Sequence, residues 1–220
     1  TYVQAIEHIL GVLDGETVTA PAVTALRRQP AITSTLLTGD LESTVNEALG
    51  IVWHSGLMRR DVGDYELSGT DRVPIGSSTT VGHIFSALGS VIDLSGMRLF
   101  HRNRDAGPLQ SQIALVNPLA VILSGSAKRA TRTLRFRIGQ AVAAAMPPLA
   151  LTVGLTDDQL TDLLVALRTG FGPVGRTSAQ NITAAQMRIA QDLWQVISPD
   201  GERRLRHICS DVETISPSYA

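Results

Sequence analysis

The charged residues best placed to bind a ligand lie in a basic segment between residues 128 and 137. Five cations fall within ten positions, across a predicted turn and the first half of the helix that follows. The N-terminal end of a helix is already electropositive, so cations there are unfavourable unless anions lie nearby. The segment therefore predicts either a site for phosphate, nucleic acid or an acidic protein surface, or a solvated turn paired with internal carboxylates. Its cations are Lys128, Arg129, Arg132, Arg135 and Arg137.

The residues that most often bind metals or act as nucleophiles are scattered along the chain. The histidines show no i, i+4 spacing and no pairing with cysteine that would indicate a metal site; they are His8, His54, His83, His101 and His207. His83 falls within an amphipathic pattern, and we expect it to be packed or half-buried. Cys209 is two positions from His207, which puts the two on different faces of a helix and disfavours a catalytic dyad.

Apolar spacing predicts the elements that position these residues. It predicts helices over 1–13, 21–28, 41–53, 81–92, 156–168, 183–197 and 199–209, and short strands over 97–101, 113–116 and 119–123. These elements predict an α+β fold that is mainly α-helical, with a small sheet of about three short strands packed on a buried central helix.

The central helix lies in the stretch 117–148, which reads as a strand, a turn and a helix ending at Pro147-Pro148. From Ile138 onward the pattern is apolar on every side, which predicts a helix buried all round. The stretch 138–156 carries no charge, but Gln140 and the two prolines interrupt it, so we expect buried core and no membrane span.

This stretch, NPLAVILSGSAKRATRTLRFRIGQAVAAAMPP, also carries a family resemblance. An edge strand ending in AVILS, followed by LRFRIG at the start of a helix, resembles the active-site segment of zinc metallopeptidases with an H-E-x-x-H helix. More closely, 81–209 resembles a domain at the C-terminal end of large bacterial tetratricopeptide-repeat proteins. That domain is itself similar to a metallopeptidase fold that has lost its metal site.

The resemblance implies a pseudoenzyme. The positions matching the two histidines and the glutamate of the motif are Gln140, Ala144 and Ala141. Alanine has no lone pair and an amide is a poor zinc ligand, so the chemistry of the motif is lost at all three. We therefore expect no catalysis, no metal and no cofactor.

The chain divides by composition near residue 70. We predict a helical N-terminal region over 1–70 and a metallopeptidase-like domain over 71–220. The Gly, Ser and Thr-rich stretch 63–80 is interpreted as a linker or long surface loop. The N-terminal region is either the end of a helical repeat array, which would act as a docking platform, or a helical subdomain that packs on the rest.

Composition limits the possible functions. Hydrophobic residues make up 44% and charged residues 18% of the chain, as in a folded globular protein. A net charge of -1 and an aromatic content of 4% make nucleic-acid binding an unfavoured function. The single cysteine excludes an internal disulfide, and 1–10 lacks the pattern of a signal peptide, so we expect a cytoplasmic location.

Together these features predict a non-catalytic interaction or scaffold domain whose partner is a protein, with no membrane association. Two alternatives stay open. One is an anion or nucleic-acid binder that uses 128–137, which would show steep salt dependence. The other is a hydrolase with an unrecognised site built from scattered Asp, His and Ser residues, which would require a pocket of convergent ionisable groups.

Overall fold

The computed structural model describes residues 44–74, 76–91, 97–102, 107, 109–173 and 182–210. Within these ranges the helices are α1 Thr44–Ser55, α2 Thr80–Val91, α3 Arg132–Ala144, α4 Pro147–Gly154, α5 Asp157–Phe171, α6 Ala184–Val196 and α7 Pro199–Ser210, with short 3-10 helices at Val62–Tyr65 and Gly69–Asp71. The strands are β1 Arg98–Arg102, β2 Gln110–Ala114 and β3 Ala120–Ser124. The predicted α+β, mainly helical class is confirmed. The helices predicted over 1–13 and 21–28 lie outside the described residues.

The chain forms two compact units. Unit 1 contains Asp61–Ala145, and unit 2 contains Gly39–Arg60 together with Met146–Ala220. Helix α1 thus groups with the C-terminal helices α4 to α7, although it precedes the sheet in the chain. The proposed boundary at residue 70 stays a prediction, because most of the region before it lies outside the described residues.

The sheet of unit 1 has the strand order β1-β3-β2. Strand β3 pairs in parallel with β1, placing Leu99 opposite Val121, and antiparallel with β2, placing Ile113 opposite Val121. The edge position expected for β3 from the family resemblance is therefore wrong. Its four consecutive buried residues, 120–123, are typical of a strand that is covered on both faces.

Tyr65 holds the segment before the sheet in the core of unit 1. Its side chain is buried among Phe100, Val116 and Ile122. Its hydroxyl oxygen accepts a hydrogen bond of 2.8 Å from the backbone N–H of Leu115. The interpretation of 63–80 as a surface loop or linker is wrong around Tyr65. The polar composition of the stretch did not indicate that this one aromatic side chain is buried in the core.

Threonine residues fix the starts of the helices in both units. Thr156 caps α5 and Thr183 caps α6, each with a glutamine three residues later that completes a capping box. Thr79 Oγ1 accepts a hydrogen bond of 3.1 Å from the N–H of Gly82 at the start of α2. These bonds satisfy N–H groups that a helix leaves without intrahelical partners.

Unit 2 is a helical assembly in which α1 packs on α4 and α7, and α5 packs on α6 and α7. Its core is rich in leucine, including Leu49, Leu163, Leu167 and Leu193. Arg204 of α7 forms a two-pronged ion pair with Glu47 of α1, in which Nη2 donates to Oε2 at 2.8 Å. The Arg204 hydrogen bond lowers the pKa of the Glu47 carboxyl.

The central helix α3 differs from the expectation. Only one face is buried, comprising Leu134, Ile138, Ala141 and Val142, and this face packs toward α2 and β2. Phe136 and Gln140 are exposed. The helix also ends at Ala144, and Pro147 begins α4. The prediction of burial on every side was wrong because alanine is tolerated at exposed helix positions, so an alanine-rich run does not show which face is inside.

In the part of the chain that the structure describes, no helix combines the length and hydrophobicity needed to cross a membrane.

The buried Tyr65 hydroxyl gives a test of this fold. Tyr65→Phe leaves the N–H of Leu115 without its partner, and we expect a loss of about 1–3 kcal/mol in the free energy of unfolding of unit 1. Urea denaturation followed by circular dichroism measures it. The control Thr133→Ala, at an exposed position of α3, should change the value by less than about 0.5 kcal/mol. An equally small effect of Tyr65→Phe would contradict the assigned role of the hydroxyl.

Candidate functional site: a basic and aromatic face of helix α3

The candidate site begins where the chain leaves β3. Gly125 has a φ of 114°, in the left-handed region that favours glycine, and turns the chain out of the sheet. Its N–H donates to the carbonyl of Arg102 at 3.1 Å. Its carbonyl accepts a hydrogen bond of 2.9 Å from His101 Nε2. The end of β1 thus fixes the direction in which the basic segment departs.

The backbone of the basic segment is held at both ends. The hydroxyl of Thr80, the first residue of α2, donates to the Lys128 carbonyl at 3.4 Å. Thr131 is the N-cap of α3, and its Oγ1 accepts from the N–H of Leu134 at 3.1 Å. The segment therefore has a defined path from the sheet to the helix, and its side chains project from a fixed backbone.

The predicted cations lie in unit 1, on the turn before α3 and in the first two turns of this helix. Lys128, Arg129, Arg132 and Arg137 are exposed, and Arg135 is half-buried. Arg137 is also anchored, since its Nη1 donates to the carbonyl of Leu109 at 3.0 Å. The first turn of α3 contains no acidic residue. Four of the five residues proposed from the sequence are thus accessible to solvent, and their role as a binding site stays a prediction.

Phe136 lies among these cations and was not singled out from the sequence. Its side chain is 60% exposed. One helical turn away on either side are Arg132 and Gln140, both exposed. Those polar residues at i−4 and i+4 were the signal in the sequence that places Phe136 on the outer face. We call the basic-aromatic face the exposed surface formed by Lys128, Arg129, Arg132, Phe136, Arg137 and Gln140.

The described elements that pack against helix α3 contribute no negative charge to this face. Between Asp105 and Asp157 the chain has no aspartate or glutamate. Helix α2 and strand β2, which pack against α3, also contain none. Across Asp61–Ala145 there are nine Lys and Arg residues against six Asp and Glu. The overall charge of -1 therefore conceals a stretch of the chain that is net positive.

The positions that would form the metal motif do not share one environment. Gln140 is exposed, Ala141 is buried and Ala144 is half-buried. These side chains offer one amide between them, so they fit no zinc ion. Among the residues that the structure describes, no group of three or more His, Cys, Asp or Glu side chains is arranged to hold a metal ion.

The histidines that lie in the described ranges belong to four different elements, α1, α2, β1 and α7. His54 is exposed on α1, with Nδ1 at 2.6 Å from the carbonyl of Gly50. His207 is exposed on α7. His83 is exposed as well, so the prediction that it is packed or half-buried is wrong. It occupies a polar position between the buried Val81 and Ile84 on α2.

Cys209 lies in the interior of unit 2. It is 3% exposed, and its Sγ lies 3.8 Å from the carbonyl of Leu167. Burial raises the pKa of the Cys209 thiol to about 11. The thiol is therefore protonated at neutral pH and is a poor nucleophile. Cys209 therefore serves as a small apolar residue of the core of unit 2.

Trp194 is a second exposed aromatic residue, 44% exposed on α6. It is fixed by contacts within its own unit. Its ring is stacked on Phe171 at a centroid distance of 5.6 Å, and its Nε1–H donates to the carbonyl of Gly170 at 2.9 Å. The guanidinium of Arg206 lies 5.0 Å from the ring centroid. These contacts give Trp194 a structural role.

The different environments of the motif positions give a test. Gln140→His changes an exposed residue, and the free energy of unfolding should fall by less than about 0.5 kcal/mol. Adding Ala141→Glu and Ala144→His puts an unpaired carboxyl group into the core, so we expect the triple variant to lose about 2–5 kcal/mol. Thermal melts with and without zinc measure both, and elemental analysis should find no stoichiometric zinc in the parent. A triple variant that melts like the parent, binds zinc and cleaves casein would overturn this account.

The buried thiol gives a second test. At pH 7.5 a thiol with a pKa of about 11 is almost entirely protonated, and burial also blocks reagents. We expect Ellman's reagent to label Cys209 in the native chain at least about 100-fold more slowly than in urea. The reaction should accelerate as pH rises toward 11. Rapid stoichiometric labelling of the native chain at pH 7.5 would show that the thiol is accessible.

Comparison of the chain with protein-family models, with curated proteins and with solved structures finds no match. The resemblance to the metallopeptidase-like domains of repeat proteins therefore remains a prediction from the sequence.

Proposed function

We propose that this chain is a non-catalytic protein-interaction domain and that it contacts its partner through the basic-aromatic face. The observation that carries the proposal is the 60% exposure of Phe136 in the middle of α3. The same helix buries Leu134 and Ile138 on its other face. More than half of this large apolar side chain is therefore in contact with water, where a partner could cover it.

Binding energetics support an interaction role for this residue. Full burial of a phenylalanine side chain stabilises a complex by about 1.5–3 kcal/mol relative to leaving it in water. Aromatic residues and arginine are enriched at the centres of protein interfaces. Phe136 has Arg132 and Arg137 beside it, so the face combines an apolar contact with hydrogen-bond donors.

The residue types at the motif positions support the non-catalytic part of the proposal. Ala141 and Ala144 have no groups that bind metal or transfer protons, and Gln140 retains only an amide. We therefore extend the proposal to a pseudo-metallopeptidase domain of a bacterial tetratricopeptide-repeat protein. A cytoplasmic location belongs to the same proposal, supported by a cysteine that is buried as a free thiol.

Anion or nucleic-acid binding is the second candidate function. It is favoured by the cluster of five cations between 128 and 137 and by the absence of acidic residues in the sequence around them. A nucleic-acid ligand would give a logarithmic salt slope that grows with the number of phosphates contacted. A protein ligand that depends mainly on Phe136 would give a shallow slope.

Affinity capture from the native cell tests the protein-interaction proposal. The parent chain, Phe136→Ala and the control Val153→Ala are used as baits, and captured proteins are quantified by mass spectrometry after nuclease treatment. Val153 is a matched control because it is also exposed, at 53%, but lies on α4 in unit 2. We expect a set of partners that the parent and Val153→Ala retain and Phe136→Ala loses.

The proposal fails if no captured protein depends on Phe136, or if nuclease treatment removes every Phe136-dependent partner. Circular dichroism must show equal folding of the three baits, which is expected because both substitutions are at exposed positions.

A further inference from the structure

The charge around α3 restricts the chemistry of the partner. Lys128 and Arg129 lie just before the helix, Arg132 is its first residue and Arg137 is in its second turn. The positive end of the helix dipole adds to their field. Helix α2 and strand β2, which pack on α3, contribute no carboxylates to this region.

The apolar contact and the cations are within reach of a single peptide segment. Arg132 and Phe136 are separated by one helical turn, roughly 6 Å along the axis. Arg137 follows Phe136 directly. A partner that covers Phe136 must therefore bring its flanking residues close to guanidinium groups on the same face. Those flanking residues are favoured if they are negatively charged.

We propose that the basic-aromatic face binds a carboxylate-rich segment of another protein, in which an apolar side chain contacts Phe136 and flanking Asp or Glu residues contact Lys128, Arg129 and Arg132. This inference rests on the proposed function and deepens it by specifying the partner's chemistry. Guanidinium groups bind carboxylates through paired N–H donors. The carboxylates bring the segment to the face, and the apolar contact holds it there.

A peptide fits this face better than a nucleic-acid strand does. Proteins that bind single strands supply successive aromatic rings on which consecutive bases stack. In the described part of unit 1, Phe136 is exposed, whereas Phe85 and Phe100 are buried. One exposed ring accommodates one apolar side chain. It does not form a platform for a run of bases.

Selection from a random peptide library tests this inference. The full chain is immobilised, phage displaying random dodecapeptides are selected on it, and selected peptides are synthesised with a fluorescein label. We expect the enriched sequences to contain an apolar residue flanked by Asp or Glu. Fluorescence anisotropy then gives the Kd of each peptide for the parent and the variants at low and raised salt.

The variants separate the contribution of the apolar contact at Phe136 from that of the cations. We expect Phe136→Ala to raise the Kd by about 10-fold or more, as at an aromatic hot spot. Lys128→Ala combined with Arg129→Ala should raise the Kd by about 3- to 10-fold at about 50 mM salt, and by less at about 300 mM, where exposed charges are screened. The control Arg188→Ala removes an exposed cation from α6 in unit 2 and should leave the Kd unchanged.

Three outcomes would overturn the inference. They are no enrichment at all, enrichment of peptides without an acidic bias, and binding that does not respond to the Lys128 and Arg129 substitutions. A labelled oligothymidylate that binds tighter than the selected peptides, with the same dependence on Phe136, would overturn it in favour of nucleic acid.

The two proposals fail in different ways. If affinity capture finds Phe136-dependent partners but selection gives peptides without acidic residues, the interaction function stands and the acidic chemistry is wrong. If neither the captured partners nor the peptide binding depends on Phe136, the face is not an interaction site.

Discussion

The burial of β3 on both faces is the constraint on which unit 1 depends. Its backbone forms hydrogen bonds to β1 on one side and β2 on the other, and its side chains from 120 to 123 are inaccessible to solvent. Both covering layers are needed, because exposed apolar strands and unpaired strand edges promote association. Tyr65 and α3 contribute to these layers. The same strand delivers the chain to Gly125, so the basic segment begins at a point that the core fixes.

Much of the element pattern follows from the sequence, and the errors have a common physical origin. Helices α2, α5, α6 and α7 were predicted within a few residues because leucine, isoleucine and valine recur at helical spacing. Helix α3 was misjudged because alanine carries almost no directional information. The position of β3 in its sheet was also misjudged, since pairing order depends on contacts between segments that are distant in sequence.

For the candidate site, too, some features were predicted from the sequence and others were missed. The cations between 128 and 137 were recognised from composition, because charge density is a local property. The exposure of Phe136 was missed, although its neighbours one turn away, Arg132 and Gln140, are polar. Local sequence gave the charges, but the orientation of the helix against α2 and β2 decides which side chains reach solvent. The interior position of Tyr65 was likewise hidden within a segment of polar composition.

The positions of the two tryptophans allow the two units to be distinguished by fluorescence. Trp53, with Arg59 stacked over its ring, and Trp194, stacked on Phe171, both belong to unit 2, and these are the two tryptophans in the chain. Indole emission excited at long wavelength therefore originates in unit 2 alone. Circular dichroism at short wavelength instead detects the helices of both units. Disagreement between the two signals during denaturation would reveal, without any added label, that the units unfold separately.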